Sequence, residues 1–215
     1  MFVVLFEVQP KREQWDRYLE LAAMLRPELV QIHGFIDNER YASERSEGRL
    51  LSLSTWEDEK ALVRWRTQAI HHGVQRQGRL EVFEDYHLRV GEVLSDSDQT
   101  NLRHSRLDVT EVGAAAAVTV TETLAEEKVS LPPSSTDLLD AESYSGITVT
   151  GKHLMLAAWR SDDAAGAWIE HQSVEARHRH IRIIRDYGMH RREEAPQYFS
   201  GERGASPLVP LEPSQ

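Results

Sequence analysis

Hydrophobic spacing divides the chain into two similar halves. Residues 2–8 (FVVLFEV) form a short β-branched and aromatic run, the pattern of a buried strand. After Pro10, Trp15, Tyr18, Leu19, Ala22, Ala23 and Leu25 recur every three or four residues, which predicts an amphipathic helix ending near Pro27. Residues 35–44 and 49–55 then read as a hairpin turning at Ser46-Glu47-Gly48. Asp58 is placed to cap a second helix carrying Ala61, Leu62, Trp65 and Ala69, and residues 80–90 supply a last strand. The order is βαββαβ, a ferredoxin-like unit.

A polar stretch at residues 95–100 (SDSDQT) reads as a linker, and the pattern then repeats. At an offset of 103, Gly48 falls on Gly151, Leu51 on Leu154, Leu53 on Leu156, Trp56 on Trp159, Ala61 on Ala164 and Trp65 on Trp168. With a two-residue deletion further on, Tyr86 falls on Tyr187. The chain is therefore divided into repeat one (1–94), a linker (95–103), repeat two (104–199) and an extended, proline-bearing tail (200–215). In repeat two the first strand is placed at residues 114–123, and Pro132-Pro133 makes the first helix short or missing. A lone βαββαβ unit leaves one apolar sheet face bare. Two such sheets facing each other cover both, so the expected fold is α+β, an intramolecular barrel of two units with helices outside. Further pairing into a homodimer is allowed by this arrangement but not required.

Composition narrows the chemistry. There are no cysteines, which removes disulfides, thiolate metal sites and cysteine nucleophiles together. The net charge of −10 divides evenly, −5 in residues 1–100 and −5 in the remainder, so neither half has the basic excess of a nucleic-acid binder. No apolar run is long enough to span a membrane, and residues 1–8 lack the leading basic residues of an export signal, so a cytoplasmic chain is expected. No Walker loop, dinucleotide fingerprint or nucleophile elbow is present.

Residues 50–90 (LLSLSTWEDEKALVRWRTQAIHHGVQRQGRLEVFEDYHLRV) run strand, Trp, acidic cap, helix with a second Trp, His, and a Tyr-bearing strand. This pattern resembles the antibiotic biosynthesis monooxygenase superfamily of dimeric α+β barrels. The resemblance implies an oxidoreductase, a monooxygenase acting with O2 on a small aromatic or quinol-like molecule. Trp65, His71, His72, Tyr86 and Glu7 are its candidate site in repeat one, and His71 stands at the family's six-residue spacing from the helix Trp. A buried, unpaired Glu7 would have a raised pKa and act as a proton acceptor; a solvent-exposed strand end would make it ordinary.

The heme-degrading branch of the superfamily implies a different site. There an axial His follows the helix Trp by ten residues, as His178 follows Trp168. Helical spacing would put Trp168, His171, Glu175 and His178 on one face, as a heme or metal site with His178 as ligand, or simply as the polar edge of a helix. The branch's first-strand Asn has no counterpart; Glu7 stands near that position. Each aromatic candidate also has a packing role open to it. Trp65 and Trp168 suit the helix–sheet core, and Tyr86 and Tyr187 suit the space between sheets. A third reading is a pseudo-dimer that binds a small molecule without catalysis.

Overall fold

The computed structural model describes residues 1–124, 129–172 and 175–196. Repeat one comprises β1 (Phe2–Pro10), α1 (Trp15–Leu29), β2 (Phe35–Ser43), β3 (Leu50–Trp56), α2 (Glu59–Thr67), α3 (Ala69–Gln77) and β4 (Phe83–Asp96), with a π-helical turn at Gly78–Val82 leading into β4. Repeat two comprises β5 (Ala117–Thr123), β6 (Leu138–Gly146), β7 (His153–Trp159), α4 (Asp162–Glu170) and β8 (Arg177–Gly188). The eight strands close a barrel in the order β1-β3-β2-β6-β7-β5-β8-β4, antiparallel throughout. The α+β intramolecular barrel is thus the fold. No helix among the described residues is long and apolar enough to cross a membrane.

Two seams join the repeats. β2 meets β6 over three residue pairs, from Tyr41–Gly146 to Ser43–Tyr144. The longer seam runs along β4 and β8, from His87–Gly188 to Asp96–Arg179, with bulges that twist the strands. Gly91 lies at one bulge; a Cβ there would strike the Ile181 side chain and come within 2.8 Å of the Arg182 carbonyl oxygen. Both hairpins turn on a glycine with positive φ, Gly48 at +78° and Gly151 at +79°, a backbone state that side-chain-bearing residues rarely adopt.

The barrel interior holds an apolar cluster that includes Leu5, Leu51, Leu53, Val118, Leu154 and Ile183. It also holds two buried charge clusters related by the duplication. Glu7 pairs across the sheet with Leu51, and Glu122 pairs with the equivalent Leu154. Glu7 accepts hydrogen bonds from Arg89, from Arg49 at 3.2 Å and from the Tyr144 hydroxyl at 3.1 Å. Glu122 accepts from Arg179 at 2.5 Å and the Tyr41 hydroxyl at 2.5 Å, with Lys152 Nζ at 2.9 Å. Arg49 corresponds to Lys152 and Tyr41 to Tyr144 at the offset of 103. Each glutamate therefore binds a tyrosine from the opposite repeat.

The local predictions differ from the structure in three places. α1 continues through Pro27 to Leu29 instead of stopping before it. The second helix breaks at Gln68, where the backbone is extended (φ −59°, ψ 129°), and resumes as α3. In repeat two the deletion is larger than two residues. The offset is 103 at Trp65 and Trp168 but only 90 at Arg89 and Arg179, which pair with the equivalent positions Leu5 and Val120. Thirteen residues are missing, one fewer than α3 and the π-helical turn contain together. Tyr187 is therefore not the counterpart of Tyr86; it pairs with Leu88, beside the repeat-one sheet. No helix stands between β5 and β6 among the described residues.

Candidate active site

Strand alternation sends one set of repeat-one side chains inward and the other outward beneath α1, α2 and α3. The outward set forms the floor of a cavity of about 230 Å³. Two rows cross this floor. Arg40, Ser52, Phe6, Leu88 and Tyr187 are register neighbours on β2, β3, β1, β4 and β8. Asn38, Ser54, Val4, Val90 and Arg185 form the second row on the same strands. Each row is polar on β2 and β3, apolar on β1 and β4, and ends on a side chain supplied by repeat two.

The roof comes from the helices. Asp58 caps α2, its side chain accepting from Ala61 N–H at 2.7 Å, and so fixes the helix start. α2 places Leu62 and Trp65 over the floor. In an unbroken helix a residue six positions on would lie far around the axis. The break at Gln68 instead folds His71 back onto Trp65, with ring centroids 4.2 Å apart and planes 18° from parallel. His71 Nδ1 lies 3.1 Å from the Trp65 carbonyl oxygen. That oxygen can only accept, so Nδ1 carries the proton and Nε2 is the basic nitrogen of the neutral ring. Tyr18 and Leu21 of α1 close the opposite side with Tyr86 and Phe83. The Tyr86 hydroxyl accepts a hydrogen bond from Arg192.

Trp65, His71 and Tyr86 thus share one cavity, and the remaining candidates lie elsewhere. Glu7 is on the inward face of β1, inside the barrel and across the sheet from the cavity. Burial alone would raise its pKa, but Arg89, His87 and Arg49 outweigh burial and hold it well below the usual carboxylate range. It is ionised and fully engaged, not a raised-pKa proton acceptor. Trp168 packs on Trp159 with ring centroids 5.9 Å apart, in the apolar cluster of repeat two. The side chain of His72 lies outside the described residues.

His178 is on a strand and not on a helix, because α4 ends at Glu170 and β8 begins at Arg177. The helical stripe of Trp168, His171, Glu175 and His178 does not form; the missing thirteen residues bring the last strand in early. His178 is 6 % exposed, its Nδ1 lies 3.0 Å from Thr121 Oγ1, and it does not line the cavity. No group of three His, Asp or Glu placed to hold a metal occurs among the described residues. A heme needs an open face beside its axial ligand, and the packing around His178 does not fit one.

The model for the antibiotic biosynthesis monooxygenase family matches residues 1–77. The chain is also 39 % identical, over 216 residues, to the jasmonate monooxygenase ABM of Pyricularia oryzae, covering 93 % of this chain and 98 % of that protein. The chain belongs to the antibiotic biosynthesis monooxygenase family. Among solved structures, a Fusobacterium nucleatum protein is 7 % identical with a TM-score of 0.42, covering 86 % of this chain and 93 % of its own. A Shewanella oneidensis protein is 18 % identical with a TM-score of 0.39, covering 41 % of this chain and 86 % of its own.

Within this antibiotic biosynthesis monooxygenase chain, several cavity residues escape sequence reasoning. Arg185 and Tyr187 come from repeat two and Arg192 from beyond β8, so no spacing within repeat one points to them. Arg40 lies in β2, where Asn38, Glu39, Arg40 and Tyr41 give no alternation of polar and apolar positions to distinguish the two faces.

Proposed function

We propose that the repeat-one cavity is the active site of a monooxygenase that joins O2 to a small, largely apolar, aromatic or quinol-like substrate. The observation that carries this reading is the stacked Trp65–His71 pair on the wall of an apolar cavity, with Tyr86 opposite. A phenol and O2 give a quinone and water with atoms and electrons balanced, the substrate itself supplying the electrons. The protein then has to bind the ring, exclude bulk water and move protons. Trp65, Phe6 and Leu88 provide apolar surface for the ring. His71 Nε2 is the group that takes the phenolic proton, raising the electron density that O2 meets. The stack on Trp65 and the bond to its carbonyl oxygen keep the imidazole in one orientation.

The relative from Pyricularia oryzae supports O2 chemistry on a small molecule, and its name places jasmonate in the substrate panel beside phenols and hydroquinones. The test is oxygen uptake by the purified protein across that panel. His71→Ala is expected to lower kcat about 100-fold or more, in line with loss of a general base, and Trp65→Phe to weaken it less. Uptake unchanged in both variants, or no uptake with any compound, overturns the reading; binding without uptake leaves a small-molecule carrier.

A further inference from the structure

We infer that the cavity is built for an anionic substrate, and that Arg40 is the residue that seats its carboxylate; the inference rests on the cavity being the substrate site. Among the described residues, six arginines line the cavity (Arg26, Arg40, Arg66, Arg79, Arg185 and Arg192) and no aspartate or glutamate does. The protein as a whole carries a net charge of −10, so this is a local reversal of sign. Such a field favours entry of anions and opposes binding of cations.

Arg40 stands apart within this group. Arg40 and Arg66 both bury an Nε that has no hydrogen-bond partner, but of the two only Arg40 rises from the sheet floor, and no carboxylate pairs with its guanidinium among the described residues. Arg40 on the floor and Tyr18 of α1 on the roof both line the cavity, and the Arg40 charge acts on the Tyr18 hydroxyl. The polar side chains beside Arg40 on the floor bond to one another and to the sheet. Asn38 Nδ2 donates to Ser52 Oγ at 2.9 Å and to the Leu53 carbonyl at 3.2 Å, and Ser54 Oγ accepts from Trp56 Nε1. A buried donor left unpaired is costly, and a guanidinium pairs best with a planar carboxylate.

The floor sets the direction of the bound molecule. From Arg40 on β2 to Leu88 on β4 is three strand spacings, about 14 Å, and the side chains turn from polar to apolar along the way. With Arg40 as the anchor, the carboxylate lies at the β2 end and the apolar body extends across Phe6 and Leu88 toward Tyr187 and Arg185 on β8.

The test compares binding of jasmonate and its methyl ester without oxygen, followed by calorimetry on the full chain at pH 7. The acid is expected to bind at least 10-fold more tightly than the ester. Arg40→Gln should weaken the acid 10- to 100-fold and leave the ester within twofold, whereas Arg40→Lys retains part of the preference. Equal affinity for acid and ester in the native protein, a preference that survives Arg40→Gln, or no binding of either compound overturns the inference. If Arg40→Gln does not fold, the native acid-over-ester ratio decides. Oxygen uptake by the native protein with neutral phenols is a separate measurement that does not involve the acid-over-ester ratio, so failure of the anchor and failure of the oxygenase reading remain distinguishable.

Discussion

Tyr41 and Tyr144 each donate a hydrogen bond to a glutamate rooted in the other repeat. The acceptors are buried and ionised, so each bond is charge-assisted and has no water to replace it. Tyr41→Phe and Tyr144→Phe should each destabilise the protein by about 1.5–3 kcal/mol in urea denaturation. Because the two sites are equivalent, the two losses should be similar; a change below about 0.5 kcal/mol in either would show that the bond contributes little. Removing a glutamate is more severe, since it leaves a buried cation unpaired, and Glu122→Ala is expected to cost about 3–5 kcal/mol.

At the scale of elements, the β4–β8 seam depends on the missing side chain of Gly91. Gly91→Ala drives a methyl group into Ile181 and the Arg182 carbonyl, which should cost about 1–3 kcal/mol, measured as a shifted urea midpoint with an unchanged slope. A neutral substitution would mean that the bulge relaxes freely. Much of this scale was legible beforehand. Repeat-one strands follow from their β-branched runs, α2 from Asp58 and its apolar spacing, and the two turns from Gly48 and Gly151. Trp65, His71 and Tyr86 meet because a strand–helix–strand unit brings its outer face beneath its own helices. What was illegible has a common cause. The arrival of Tyr187 beneath repeat one's helices and the strand pairing that holds His178 are set by contacts between distant segments. Glu7 is the plainest example: its neighbours along the chain are apolar, while its partners Arg49, His87, Arg89 and Tyr144 lie 42 to 137 residues away.

At the scale of the whole molecule, the two glutamate clusters act as clamps between the halves, and they respond to acid. Burial on its own would raise the Glu122 pKa, but Arg179, the Tyr41 hydroxyl and Lys152 lower it to about 2 from an ordinary 4.5; Glu7 moves the same way. Unfolding in this range takes up protons, so the contribution of these groups is complete above about pH 5 and declines as the pH falls toward 2. The melting temperature should drop across that window, and less steeply in Glu122→Gln, which starts lower but has one fewer group to titrate. Equal slopes in the two proteins would show that the acid limb belongs to other carboxylates.

The thirteen missing residues of repeat two have a consequence for how such a barrel can change. In a barrel assembled from two identical chains, every substitution appears twice, so a pocket cannot be closed on one side and kept on the other. One continuous chain removes that constraint. Here the second half has no counterpart of α3 among the described residues and packs Trp159 and Trp168 between its helix and sheet. It also lends Arg185 and Tyr187 to its neighbour's floor. One copy keeps the vessel and the other has become part of its wall.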